Sequence, residues 1–304
     1  MQRAVNSQII RTHPRRMSPD ALTPYLTGAR CDELVHRYLD AALAANTLRA
    51  YRADLEHFIA WGGTIPTSPE CVATYIAHHA TTLAGSTLAR RLVAIARAHT
   101  AQGIQSPTRC ELVRATLQGV RRSRDNTVRQ VAPLQKLQLM QMLHGLSGLR
   151  GLRDAALLLI GFASALRRSE LVSLYVEDIR FTAEGTIIRL RRSKTDQVGL
   201  GRDIAIPLVR GQHCPSRTLL TWLQASGITT GALFRRINRY DQLLPQRLSA
   251  QSVALIIKQR ARFAGFDPTL YSGHSLRAGF VTNATNGGAS SSSIRVQTGH
   301  KSDV

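Results

Sequence analysis

Acidic side chains are scarce in this chain. Its 304 residues hold 19 Asp+Glu against 40 Lys+Arg, a formal charge of +21. Such a surface is not self-neutralised. It calls for a polyanion, and nucleic acid comes first because neutralising phosphates releases counterions. Lysine is scarce as well. Only Lys136, Lys194, Lys258 and Lys301 occur, so 36 of the 40 basic side chains are arginine. A GC-biased genome would enrich arginine but would not thin out the acids. Cysteine is rare and scattered, at 31, 71, 110 and 214, with no CxxC pair. That argues against a disulfide framework or a cysteine-rich zinc site and fits a reducing cytoplasm. Long apolar runs are missing too. The longest near-apolar one, Ala155 to Leu166, has 12 residues, too few to cross a bilayer. Arg3, Arg11, Arg15 and Arg16 with no apolar stretch beside them argue against a secretory leader. Apolar residues themselves are plentiful, at 43%, so the chain can bury a core, and its length suggests two domains.

The charge is uneven. Residues 28–82 carry four Arg and six acids, residues 83–124 eight Arg and one acid, and residues 129–304 24 basic against 10 acidic side chains. A basic stripe followed by a basic domain suits a duplex partner better than a membrane, since no basic amphipathic helix stands alone. Residues 1–27 lack periodicity and read as an arm. Residues 28–122 read as a helical bundle. NTLRAYRADLEHFIAWGG places Leu48, Tyr51, Leu55, Phe58 and Ile59 at helical spacing, with Asn46 as N-cap and Gly62-Gly63 as the stop. Ser68-Pro69 opens a second helix, Ser86 a third, and a fourth runs from Cys110 to Val120. Residues 123–130 read as a linker and 131–304 as a second domain. There TIIRLRR and Arg202 to Pro207 alternate as strands around the polar turn SKTDQVGLG. Helices are expected near 150–164, 215–225, 249–264, 274–285 and 290–298. The fold class is mostly α with a small antiparallel sheet, in two domains.

Three local patterns could carry chemistry. Arg167 follows a buried helix and precedes Ser169-Glu170-Leu171. Taken alone it reads as a helix cap or a partner of Glu170 as readily as a ligand-binding group. His274 and Arg277 stand three apart, on one face of a helix, a spacing that chance also supplies. Gly299-His300 follows a helix end, where a lone His is often structural.

Together the ordered set Arg, Lys in a hairpin, HxxR and GH resembles the tyrosine recombinase, or phage integrase, family. NTLRAYRADLEHFIAWG is similar to its SAM-like core-binding domain, and SGHSLRAGF and QTGHKS to its two catalytic boxes. The resemblance spans about residues 30–304. It implies that Arg167, Lys194, His274, Arg277 and His300 are catalytic, in a tyrosine-recombinase catalytic fold over residues 131–304. It implies site-specific recombination of double-stranded DNA through a 3′-phosphotyrosine, and tetramers on DNA. One ester replaces another, so no metal, ATP or other cofactor is implied. The chemistry suits these residue types. Two guanidiniums fit the non-bridging oxygens of a pentavalent phosphorus. A Lys ammonium can protonate a departing 5′-oxygen, whereas Arg, with a pKa above ~12, cannot readily do so. A type IB topoisomerase shares that chemistry, but the helical first domain and SGHSLRAGF favour the recombinase.

The family's nucleophilic tyrosine follows the second-box His by about nine residues. Here the tyrosines are 25, 38, 51, 75, 175, 240 and 271, and none follows His300. A fragment, a natural truncation or a tyrosine from a neighbouring protomer would each account for this, the first two being preferred. The competing expectation is a DNA-binding protein without catalysis. Thr47, Arg49, Arg52, Arg90, Arg91, Arg97, Arg121 and Arg122 are expected DNA contacts, against the plain alternative of solvated helix faces.

Overall fold

A computed structural model of the chain describes residues 45–123, 131–193 and 201–299. The fold divides into two units, Met1–Val128 and Arg129–Val304. The arm at 1–27, residues 28–44 and most of the linker, 124–130, lie outside the described residues.

The first unit contains α1 (Ala45–Trp61), α2 (Pro69–His78), α3 (Gly85–Ala101) and α4 (Glu111–Arg122). Its core is the sum of their apolar stripes. Leu55 and Phe58 of α1 meet Val72, Tyr75 and Ile76 of α2, Leu88, Leu92 and Ile95 of α3, and Val113 and Val120 of α4. Spacings of three and four put these side chains on one face of each helix. Ser68 caps α2 as expected, its Oγ accepting from the Cys71 N–H at 3.3 Å, with Pro69 in the first turn. Two other starts differ. Helix α1 begins at Ala45, so Asn46 lies inside it and accepts from Arg49 at 2.9 Å. Helix α3 begins at Gly85 behind Ala84 rather than at a Ser86 cap.

The second unit opens with α5 (Lys136–Leu143), the apolar α6 (Gly148–Ala163) and the short α7 (Arg168–Ser173). Strands β1 (Ile179–Thr182), β2 (Gly185–Leu190) and β3 (Arg202–Pro207) form an antiparallel sheet in that order. Ile188 pairs with Ile204 and Thr186 with Ile206, and all four are buried. One face of the sheet thus covers the core while Arg189 and Asp203 pair on the exposed side. Helix α8 (Pro215–Ser226) packs on α6 and buries Trp222, whose indole N–H donates to the Leu233 carbonyl at 3.0 Å. A two-stranded sheet follows, β4 (Arg235–Ile237) with β5 (Leu243–Arg247), then α9 (Ala250–Phe263), α10 (Ser275–Asn286) and α11 (Ser291–Thr298). The architecture is mostly helical with small antiparallel sheets. Strand β1 and the β4–β5 pair add to the single hairpin that the alternation predicts. No described helix is long and apolar enough to cross a membrane.

Candidate phosphate-binding site

The site is built where α6 ends. After Ser164 the backbone turns through Ala165, a fully buried non-glycine residue with φ +51°. A side chain in that region is strained. The turn presents the Ala165 carbonyl inward, and Arg277 of α10 donates to it at 2.8 Å. Two residues later Arg167 caps α7. The Arg167 N–H donates to Glu170 Oε2 at 2.9 Å and its guanidinium to Oε1 at 2.8 Å. The structural reading of Arg167 holds: it starts a helix and pairs with Glu170. Glu170 is 5% exposed and orients Arg167 from beneath.

His274 and Arg277 enter from a second direction. His274 is the N-cap of α10, not a residue within it, and its ring is exposed. The Ser272 hydroxyl accepts from the His274 N–H at 3.1 Å and fixes the backbone there. Arg277 is 6% exposed, one helical turn further on. Gly273 makes the approach possible. A Cβ there would fall 2.6 Å from Cδ of Arg168, so only glycine lets the start of α10 lie against the start of α7.

The electrostatics are those of crowded cations. The Arg277 pKa is lowered to about 10, chiefly by burial and then by the Arg167 guanidinium, with Glu170 opposing and Arg202 adding to the lowering. Arg202, at the start of β3, is lowered by burial, raised by Glu170 and lowered by Arg167. Arg167 bonds Glu170 directly at 2.8 Å, and the same carboxylate acts at longer range on Arg277 and Arg202. The residual positive potential is what an anion would satisfy. Among the described residues no group of three His, Cys, Asp or Glu is arranged to hold a metal ion.

The structure brings Arg167, Arg277 and the cap residue His274 into one neighbourhood. Lys194 and His300 lie outside the described residues. Arg202 is absent from the sequence-based set. Its signal was an arginine opening the strand that follows the hairpin, which alternation alone does not distinguish from a surface charge. The buried Tyr271, 4% exposed, is core rather than a free hydroxyl.

The expected contacts in the first unit divide. Arg91 is a correction. It is 8% exposed and donates to the Tyr75 hydroxyl at 2.7 Å, beside Asp54 at 3.5 Å, so it belongs to the interior. Arg90 presents its fork to Asp54 at 2.7 and 2.9 Å. Arg49, Arg121 and Arg122 are exposed, and Thr47, Arg52 and Arg97 are half-buried.

Solved structures with this fold define the class first. The Tn1549 transposon integrase in complex with transposon right end DNA superposes with a TM-score of 0.62, at 14% identity over 86% of this chain and 87% of that one. A lambda integrase dimer bound to a COC′ core site gives 0.60, at 14% identity over 94% and 82%. The fold is that of recombinase and integrase catalytic chains. Sequence then makes the assignment. The pattern of the phage integrase family matches residues 131–304. The integrase/recombinase xerD homolog of Selenomonas ruminantium is 40% identical over 278 residues, 88% of this chain and 82% of that protein. The tyrosine recombinase XerD of Xanthomonas campestris pv. campestris is 26% identical over 298 residues, 95% and 90% of the two chains. This chain belongs to the phage integrase family of tyrosine recombinases.

Proposed function

We propose that the chain acts on duplex DNA as a site-specific recombinase, with Arg167 and Arg277 gripping the two non-bridging oxygens of one phosphodiester. The observation that carries this reading is the bond from Arg277 to Ala165, which anchors the second guanidinium two residues from the first. Both are arginines, so the grip is bidentate and permanently charged. In the reaction a tyrosine oxygen bonds to phosphorus as the bond to the 5′-oxygen breaks. His274, exposed at a helix start, takes the tyrosine proton. Lys194 supplies a proton to the departing 5′-oxygen, and His300 hydrogen-bonds the phosphate. A 5′-hydroxyl from a second strand reverses the step. No other cofactor is needed, since one ester replaces another. Thr47, Arg49 and Arg52 on α1, with Arg90, Arg97, Arg121 and Arg122, would follow the backbone in the first unit. Assembly into tetramers on DNA belongs to the same reading.

A second reading rests on one specific observation. None of the seven tyrosines follows His300. A polypeptide of these 304 residues then binds DNA without forming a covalent link. Incubation with a nicked suicide duplex, followed by denaturing gel electrophoresis, tests this. Binding without an adduct is the expected result. A phosphotyrosyl adduct would overturn the second reading and establish that a tyrosine among the seven attacks.

A further inference from the structure

Arg168 stands beside the phosphate site with an uncommitted guanidinium. The other arginines there are each tied to the protein. Arg167 donates to Glu170 at 2.8 Å and Arg277 to the Ala165 carbonyl at 2.8 Å. Arg202 donates to the carbonyls of Val296 and Gln297 at 2.8 and 2.7 Å. Among the described residues, Arg168 alone of these four has no hydrogen-bond or ion-pair partner. Glu170, the nearest acid in sequence, is already taken by the Arg167 N–H and guanidinium. The stem of Arg168 is nevertheless fixed. A Cβ on Gly273 would fall 2.6 Å from its Cδ, 3.1 Å from its Cβ and 3.3 Å from its Cγ. Three carbons of the half-buried side chain therefore run along the backbone at the start of α10. Ordering a long side chain opposes folding, and an arginine that only dissolves the surface keeps its rotamers free. A held stem ending in an unpaired fork of N–H donors is directed at an acceptor from outside the chain.

Position says which acceptor. Arg168 directly follows Arg167, so their Cα atoms are about 3.8 Å apart. Its stem passes Gly273, the residue before His274. Adjacent residues at a helix start do not face one another, so the second head is not aimed at the oxygens held by the first. The phosphates of one DNA strand follow one another at about 3.4 Å along the axis. Two arginines consecutive in the chain and splayed apart match two phosphates consecutive in a strand.

Resting on the phosphate-site reading above, we infer that Arg168 binds the phosphodiester next to the one held by Arg167 and Arg277. It makes the site select a polynucleotide strand over a lone phosphate ester.

The test uses the full 304-residue chain and two probes: the dinucleotide d(TpT), with one phosphodiester, and d(TpTpT), with two. Each is titrated into isotope-labelled protein, and binding is read from the backbone amide signals of 272–275, which report on this site rather than on the basic surface at large. The parent should bind d(TpTpT) about tenfold tighter than d(TpT), the scale of one charge-assisted contact. In Arg168→Gln that advantage should shrink to about threefold or less, while d(TpT) keeps its parental affinity within about threefold. Arg168→Met retains the stem without the charge and carries the same expectation should the Gln variant fail to fold. A variant that keeps the parental advantage overturns the inference. So does one that loses both probes equally, since Arg168 would then serve the first phosphate or the shape of the site. A parent that binds d(TpT) but gains nothing from the second phosphate also overturns it and leaves the phosphate-site reading standing. A parent in which neither probe moves 272–275 sinks that reading and this inference with it.

Discussion

Arg277 and Ala165 carry the site at the scale of single residues. The Ala165 carbonyl accepts from Arg277 only because the backbone there adopts a left-handed turn. Replacing Ala165 with Val puts a β-branched side chain into that conformation, in a spot with no exposure. The left-handed cost and the overpacking together should amount to about 2–4 kcal/mol. The chain should melt several degrees lower, and phosphate should bind more weakly. Ala165→Gly accepts the same φ and should keep both properties, as thermal melts with and without phosphate would show. Much of this residue-scale chemistry was legible beforehand. HxxR and the Arg before Ser169-Glu170 are where the sequence places them. What was not legible is direction. Arg90 and Arg91 are neighbours on one helix and both reach Asp54 of α1, yet only Arg91 is buried, continuing inward to the Tyr75 hydroxyl. The acid is visible in the sequence, but its pairing is a tertiary fact. Likewise His274 reads as a helix residue and is in fact the cap, an exposed position.

Elements bring a different kind of prediction. In the first unit His57 and His79 pack ring to ring at 4.8 Å, and Arg91 lies 2.7 Å from His57 Nδ1, with Tyr75, His78, Trp61 and Asp54 around them. Burial lowers both histidine pKa values, helped for His57 by Arg91 and for His79 by His57, His78 and Arg91; Asp54 opposes at His57. The folded values are depressed below the ordinary 6.5. Above that pH both states are neutral and stability is full. As pH falls below it, the unfolded chain binds protons that the folded chain refuses, and stability declines. Amide protection in residues 45–123, corrected for the pH dependence of intrinsic exchange, should therefore fall between pH 7.5 and 5.5 more than in the second unit. His57→Gln should flatten that dependence, and an unchanged pH response in that variant would count against it.

The start of α6 offers another check. The Asp241 carboxylate accepts from the Leu149 and Arg150 N–H groups at 2.7 and 2.8 Å, a cap supplied from the β4–β5 turn. Those N–H groups hold its carboxyl below the usual range. Asp241→Ala should cost about 1 kcal/mol, read from the urea midpoint at pH 7. The cost should vanish once Asp241 is protonated, because a depressed carboxylate gives its stability only above the unfolded value. Elements were unevenly legible. Long amphipathic helices and the β2–β3 alternation stood out. Strands β1, β4 and β5 are three to five residues each, and only β1 alternates; they offer too few periods to be read, since their pairing depends on distant segments.

The whole molecule is two cores joined by a short stretch. Among the described residues none belongs to both hydrophobic clusters. The second cluster closes on itself from Leu134 to Leu276, so a fragment of residues 131–304 should fold cooperatively, with the near-ultraviolet signal of the buried Trp222. A fragment that stays molten would show that the second core needs the first. The +21 charge acts at this scale as well. DNA affinity should fall steeply with salt, by on the order of a thousandfold between 50 and 200 mM if about six phosphates are neutralised. Arg277→Ala should leave most of that slope intact, because one contact among many sets the site but not the overall attraction.

The central claim is that Arg167 and Arg277 hold the same anion. A double-mutant cycle on inorganic phosphate binding, using Arg167→Ala, Arg277→Ala and the pair, tests it most directly. Shared grip predicts that each single change removes nearly all saturable binding and that the pair loses little more than the worse single. Losses that add independently, with each single variant retaining its own site, would contradict it.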